Sequence, residues 1–329
     1  MTIFTPWSAN FIYCCSENQI HRRQFFQDGI TVVTAYFNIG SFIKGKPDLV
    51  LTPDTYRNWM STFELVDNPV VAYFDDEGDL RHMAAIRRRR LPENRTRLVL
   101  VRRSELWAFR MVPRIDAIFS RPRYPRHVPN TVIANYSAAM NAKYELMRRT
   151  TSENPFRTRY FCWLDVGLFR SLADVNGWPV GGFLRRQPFE LLLPPDFRRD
   201  SVAYSEVMPR FRGFTAEELV ASNLHWVCGC FFIADVRVMY AWTEEFMAGV
   251  ERMMNENWMA TDQQVIYYIA NSVDPPQRTP IQTFVGDGLM YDPWFHLGYL
   301  CREEGMKKAV AECRSLPHCF ELRRRGWRN

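Results

Sequence analysis

The sequence predicts an α/β fold, with a single mostly parallel sheet flanked by helices and an irregular, mixed C-terminal half. Three observations predict it. Short apolar runs alternate with helical stretches, the runs give way to small or acidic turn residues, and the segment after residue 170 carries glycine and proline without a helical period.

Residues 1–29 read as an irregular entry. The run 31–37 (TVVTAYF) is rich in β-branched residues, as a buried strand requires, and Asn38 and Gly40 turn the chain behind it. A helix is expected near Pro53. Runs 69–74 (PVVAYF) and 97–101 (RLVLV) are a second and third strand, separated by the helical, Arg-rich residues 79–90. Helical spacing returns at 136–149 (YSAAMNAKYELMRR) and leads into a buried strand at 159–164 (RYFCWL), which ends on Asp165. Beyond it, a stretch of turns with Gly177, Gly181 and Gly182 is expected to hold antiparallel strands such as 190–193. The run 226–234 (WVCGCFFIA) is an apolar strand with Gly229 in its middle. From 236 to 254, Met239, Trp242, Phe246, Val250 and Met253 fall on one core-facing helical stripe. Thr261 fits an N-cap before DQQVIYYIA, and 301–313 reads as a last helix ahead of a basic tail. With no boundary and no internal repeat, residues 1–329 read as one domain.

Composition excludes several classes. Hydrophobic residues at 47% and charged residues at 24% are globular values, so neither disorder nor a fibrous protein is expected. The 15% aromatic share either thickens a core or supplies flat apolar platforms to a ligand cleft. The net charge of +6 lies mostly in Arg runs such as 87–90 and 323–325, which are either solvated faces or forks for an anionic ligand. No nucleic-acid partner is expected, because neither zinc-finger spacing nor an RNA-binding signature occurs. Eight cysteines, at 14, 15, 162, 228, 230, 301, 313 and 319, fit no metal template; Cys228 and Cys230 would share one face of a strand. Their even number permits disulfides without requiring them. No apolar run approaches a transmembrane length and the first residues do not read as a signal peptide; the compartment stays open between the cytoplasm and, if a longer precursor exists, the secretory-pathway lumen.

Ligands of such sheets sit beyond the carboxyl ends of the strands. Thr34 and Tyr36 on the first strand, with Asp75 and Arg81 after the second, are therefore candidates for ligand contact; turn chemistry explains Asp75 equally well. Asp165 is delivered to a strand end by an apolar run, and Gly167 lets the backbone turn sharply behind it. A hard divalent cation, Mn²⁺ or Mg²⁺, can bridge such a carboxylate to a diphosphate; a turn or helix-cap Asp is the alternative. Lys143, on the preceding helix, can pair with a phosphate or with Asp165, or face solvent. Asp262 and Gln263 open a helix, where a carboxylate suits a general base and equally suits the helix dipole. Trp226 and Gly229 line an acceptor side or form a bulged core strand. His296, among rings, completes a metal site with Asp165 or is a hydrogen-bonded core histidine.

Taken together, TVVTAYFNIG, YSAAMNAKYELM, NPFRTRYFCWLDVGLFR, WVCGCFFIAD, DQQVIYYIA and GYL resemble the HtrL/YibB-like family of glycosyltransferase-like proteins, in the same order and over most of residues 30–300. The resemblance implies a GT-A-like fold, in which one Rossmann-like sheet binds a nucleotide-sugar. Residues 30–170 would then be the donor half and 171–300 the acceptor half, with 301–329 a C-terminal helix and tail. It further implies transfer of a sugar from a nucleoside diphosphate sugar to a glycan, lipid-linked or protein acceptor. In that frame Asp165 and His296 hold a metal, Asp262 acts as base beside Gln263, and Thr34, Tyr36, Asp75, Arg81, Lys143, Asp165 and Gly167 face the donor. Trp226 and Gly229 face the acceptor. One departure stands out: the second acid of an Asp-x-Asp motif is replaced by Gly167, and Arg170 could offset phosphate charge instead. That departure raises a rival, a non-catalytic carbohydrate- or nucleotide-binding module, while the Arg runs raise a basic nucleic-acid-associated protein.

Overall fold

In the computed structural model, residues 27–45, 48–173, 187–274, 276–288 and 292–315 are described. The predicted strands form where the apolar runs lie. β1 (Gln27–Tyr36), β4 (Val70–Phe74), β5 (Thr96–Leu100) and β6 (Thr158–Leu164) are all parallel, and β4 is buried at every position. Such continuous burial is what strands covered on both faces show.

A seven-stranded sheet results, in the order β5-β4-β1-β6-β8-β7-β9, with β8 (Val227–Asp235) antiparallel to both β6 and β7 (Val202–Glu206), and β9 (Ile281–Val285) parallel to β7. This is the expected mostly parallel α/β sheet. A short hairpin, β2 (Phe42–Ile43) with β3 (Val50–Leu51), stands apart from it.

Helices cover both faces. On one side Val33, Val71, Phe161 and Trp163 pack under α3 (Trp107–Arg110), α4 (Val112–Phe119), α5 (Ala134–Glu153), α6 (Ala216–Ala221), α7 (Val236–Asn255) and α8 (Asp262–Asn271). On the other, Val32, Val70, Ala72 and Cys162 pack under α1 (Pro53–Met60), α2 (Glu77–Arg88) and α9 (His296–Ser315). Alternate residues of one strand thus serve two cores. The stripe Met239, Trp242, Phe246, Val250 and Met253 on α7 is fully buried, as its spacing predicts.

Residues 190–193 are not a strand. Their backbone groups are met from outside a ladder: the Asn68 side chain accepts from Leu191 N at 2.6 Å and donates to Leu191 O at 3.1 Å, and Leu192 N donates to Cys301 O. The antiparallel pairing expected in this region falls to β7 instead. Gly177, Gly181, Gly182, Cys14, Cys15, Cys319 and Arg323 to Arg325 lie outside the described residues. Among the described residues, no helix is long and apolar enough to cross a membrane.

Candidate active site

The chain runs outward from β1 to β4 and β5, then returns to place β6 on the other side of β1. Such a reversal of strand order opens a crevice beyond the carboxyl ends of the two central strands. A cavity of about 550 Å³ lies there, lined by Tyr36 and Phe37 from the end of β1 and by Trp163, Asp165 and Gly167 from the end of β6. The β2–β3 hairpin roofs it, with Phe42 and Leu51 packing on Tyr136 of α5.

On the cavity wall sits a buried charge cluster. The Lys143 ammonium donates to Asp262 Oδ2 at 3.1 Å and to Gly229 O at 3.0 Å, and lies 3.2 Å and 3.4 Å from the two carboxylate oxygens of Asp165. An ammonium has three protons, and these three acceptors use all of them. Local sequence explains the placement. Small residues, Ala138, Ala139 and Ala142, let α5 pack closely, and Asn154 in a left-handed conformation ends the helix before β6. The Thr261 side chain and Gln264 form the capping box of α8, which fixes Asp262 in the first turn.

The two carboxylates differ in access. Asp262 has a side chain 3% exposed, whereas that of Asp165 is 31% exposed and also accepts from Trp163 Nε1 at 2.6 Å. Burial raises the proton affinity of Asp262, and the Lys143 charge opposes that rise. For Lys143 burial pulls the other way, yet Asp165 and Asp262 outweigh it and hold the ammonium above its ordinary range. The ammonium therefore stays charged near neutrality.

The other candidates divide. Tyr36, Gly167, Gly229 and Gln263 line the cavity together with the cluster. Thr34 is fully buried, with an Oγ1 that has no hydrogen-bond partner, and does not reach the cavity. Asp75 is turned toward the loop after β1, where it accepts from Asn38 N at 3.0 Å and pairs with Arg103, and it does not line the cavity. Arg81 is an exposed α2 residue paired with Glu77 one helical turn away. Trp226 points into a ring cluster with Tyr267 and Arg210, and its Nε1 donates to Glu206. His296 opens α9 with its ring against Gly286 and does not line the cavity.

A divalent cation does not fit these residues. Among the described residues no group of three His, Cys, Asp or Glu side chains converges on a common point, Asp165 and Asp262 share an ammonium, and Asp292, also on the cavity wall, accepts from Trp294 N. At Gly167 a β-carbon would sit 2.7 Å from the Trp59 ring, so an acid there requires that ring to move.

Sequence reasoning missed several lining residues. Lys44 is one, a cation over the Tyr136 ring at 5.5 Å; Arg170, expected to offset phosphate charge, lines the cavity too, 4.5 Å from the Phe295 ring. His225 also lines it, and burial, with the His127 and Lys44 charges, pushes its imidazole down to about 4. Its position just before the β8 run was the available signal. Cys228 and Cys230, on the same wall, are joined in a disulfide, while Cys162 and Cys301 are free and buried.

The fold and cavity define an α/β protein with a mostly parallel sheet and a cavity at the strand-order reversal. The chain belongs to the family described as "Bacterial protein of unknown function (HtrL_YibB)", whose model matches residues 28–277. No curated protein matches it. Among solved structures it is similar to mouse xyloside xylosyltransferase 1 in its apo form, at 9% identity and a TM-score of 0.35 over 78% of this chain and 85% of that one. It is also similar to 4-diphosphocytidyl-2C-methyl-D-erythritol synthase from Anaerococcus prevotii DSM 20548, at 9% identity and a TM-score of 0.33 over 84% and 96% of the two chains.

Proposed function

We propose that the chain is a glycosyltransferase that moves a sugar from a nucleoside diphosphate sugar to a hydroxyl of a glycan, lipid-linked or protein acceptor. The observation that supports this most is the Lys143–Asp165–Asp262 cluster on the wall of a cavity at the strand-order reversal, with Asp165 as its accessible carboxylate. Residues up to 170 supply the donor side, where Lys44 and Arg170 meet the diphosphate. The aromatic faces of Tyr56, Trp59 and Trp294 offer platforms for sugar rings.

The acceptor oxygen attacks the anomeric carbon. The bond from that carbon to the phosphate oxygen breaks, and the nucleoside diphosphate departs with the electron pair. The hydroxyl proton passes to a carboxylate, and exposure favours Asp165 over Asp262 for that role, because a proton acceptor must come within hydrogen-bond reach of the hydroxyl. Asp262 holds Lys143, and Lys143 holds Asp165 in place.

The test is release of nucleoside diphosphate from a panel of nucleotide-sugars, by wild type and by Asp165→Asn. Wild-type release that the substitution abolishes is expected. Saturable donor binding without release, across a panel of acceptors, would instead favour a binding module, the reading that Gly167 at the second acid position keeps open.

A further inference from the structure

The carboxylates that a GT-A-like site would use for a metal are bound here to a cation that belongs to the chain. We propose that the Lys143 ammonium stands in for a divalent cation, so that this site takes up a nucleoside diphosphate without one. The anion's identity rests on the glycosyltransferase reading; the exclusion of metal rests on the cluster alone.

Three oxygens, from Asp165, Asp262 and Gly229, surround Nζ at 3.0 to 3.2 Å, as a coordination shell surrounds a small ion. A divalent cation bound to the same oxygens would lie within a few ångströms of a positive charge. The lysine cannot step aside, since its side chain is 3% exposed and Asp262, equally buried, would be left without a counterion. Nor does an ammonium with all its protons used reach out to the phosphates. The diphosphate charge then falls to Lys44 and Arg170, which line the cavity and have no carboxylate partner among the described residues. Lys143 offsets one of the two carboxylate charges, and the cavity's other cations offset charge on the ligand.

The experiment has two arms, each on the full chain. In the first, MnCl₂ alone is titrated into wild type, Asp165→Asn and Lys143→Ala by calorimetry. Wild type should show no saturable binding below about 1 mM, the range of weak carboxylate sites. Lys143→Ala, with two carboxylates freed, should bind Mn²⁺ at least about tenfold more tightly. Wild-type Mn²⁺ binding that Asp165→Asn abolishes overturns the proposal, and this comparison stands even where Lys143→Ala fails to fold. Binding that Asp165→Asn leaves untouched lies outside the cluster and leaves the proposal in place.

In the second arm, UDP, GDP, CDP and ADP are titrated with EDTA or with Mn²⁺. Affinities equal within about twofold are expected, as linkage requires when no metal joins the complex. A nucleotide that binds only with Mn²⁺ overturns the proposal. Failure of all four to bind under both conditions strikes the glycosyltransferase reading instead and leaves the Mn²⁺ result to judge the cluster.

Discussion

A β-carbon added to Gly229 would lie 2.0 Å from Oδ2 of Asp262, the oxygen that holds Lys143. The glycine in the middle of an otherwise bulky apolar strand is therefore the space in which a buried carboxylate sits. Gly229→Ala forces Asp262 off its ion pair, and overpacking of this kind costs about 1–3 kcal/mol. Gly29→Ala is the control, since its added carbon meets only a methyl of Thr158 at 3.5 Å. Thermal unfolding should show a drop for Gly229→Ala and almost none for Gly29→Ala; equal midpoints would refute the contact.

The unequal burial of the cluster's acids separates their roles. Asp262→Asn leaves a buried ammonium with one carboxylate that is itself partly solvated, and breaking a buried pair costs on the order of 3 kcal/mol. Asp165→Asn removes the exposed partner and keeps the buried one, so its cost is expected below about 1 kcal/mol. Urea unfolding measures the difference. Activity should rank differently from stability, because Asp165→Asn loses transfer while remaining folded. Comparable destabilisation by both substitutions would show that the cluster is not ordered by burial.

The parallel half of the sheet was legible because its strands are buried on both faces and read as unbroken apolar runs. Asp165 and Lys143 could be placed because a strand end and the helix before it are adjacent in sequence. The direction of β8 was not legible, since an apolar run looks the same either way. That direction brings His225, at its start, beside the end of β6. His296 was preferred for its aromatic neighbours, yet helix α9 carries it away from the cavity. β7 and β9 were missed because short runs among prolines and turns have no period to detect. That Lys143 sits between two acids separated by almost a hundred residues is a tertiary fact that no local pattern carries.

His225 gives the fold a pH dependence of known sign. Burial, with the charges of His127 and Lys44, lowers its folded-state value from 6.5 to about 4. Between those values the unfolded chain binds a proton that the folded chain refuses, so stability falls as pH drops through this window and is regained above it. The loss is on the order of 3 kcal/mol when complete. Urea midpoints measured at neutral pH and at acid pH should differ less in His225→Gln than in wild type. The same acid loss in both would assign it to other groups.

Lys44 and Arg170 are the cavity's cations without carboxylate partners among the described residues, and Arg170 is held flat against Phe295 and Trp59 at 4.5 Å and 5.7 Å. Each lies at the surface, so truncation should change stability by less than about 0.5 kcal/mol. Nucleotide affinity is another matter. A charge-assisted contact to phosphate contributes about 1.5–3 kcal/mol, so Lys44→Ala and Arg170→Ala should each weaken UDP or GDP binding about tenfold or more. Arg170→Lys should fall between, keeping the charge but losing the planar fork and its ring contacts. Each truncation should also flatten the salt dependence of binding, since one fewer ionic contact is screened. The free nucleoside supplies the decisive comparison: it lacks the diphosphate, so its weaker affinity should be unchanged by either substitution. Equal losses for nucleoside and nucleoside diphosphate would move both cations away from the phosphates and onto the base or ribose.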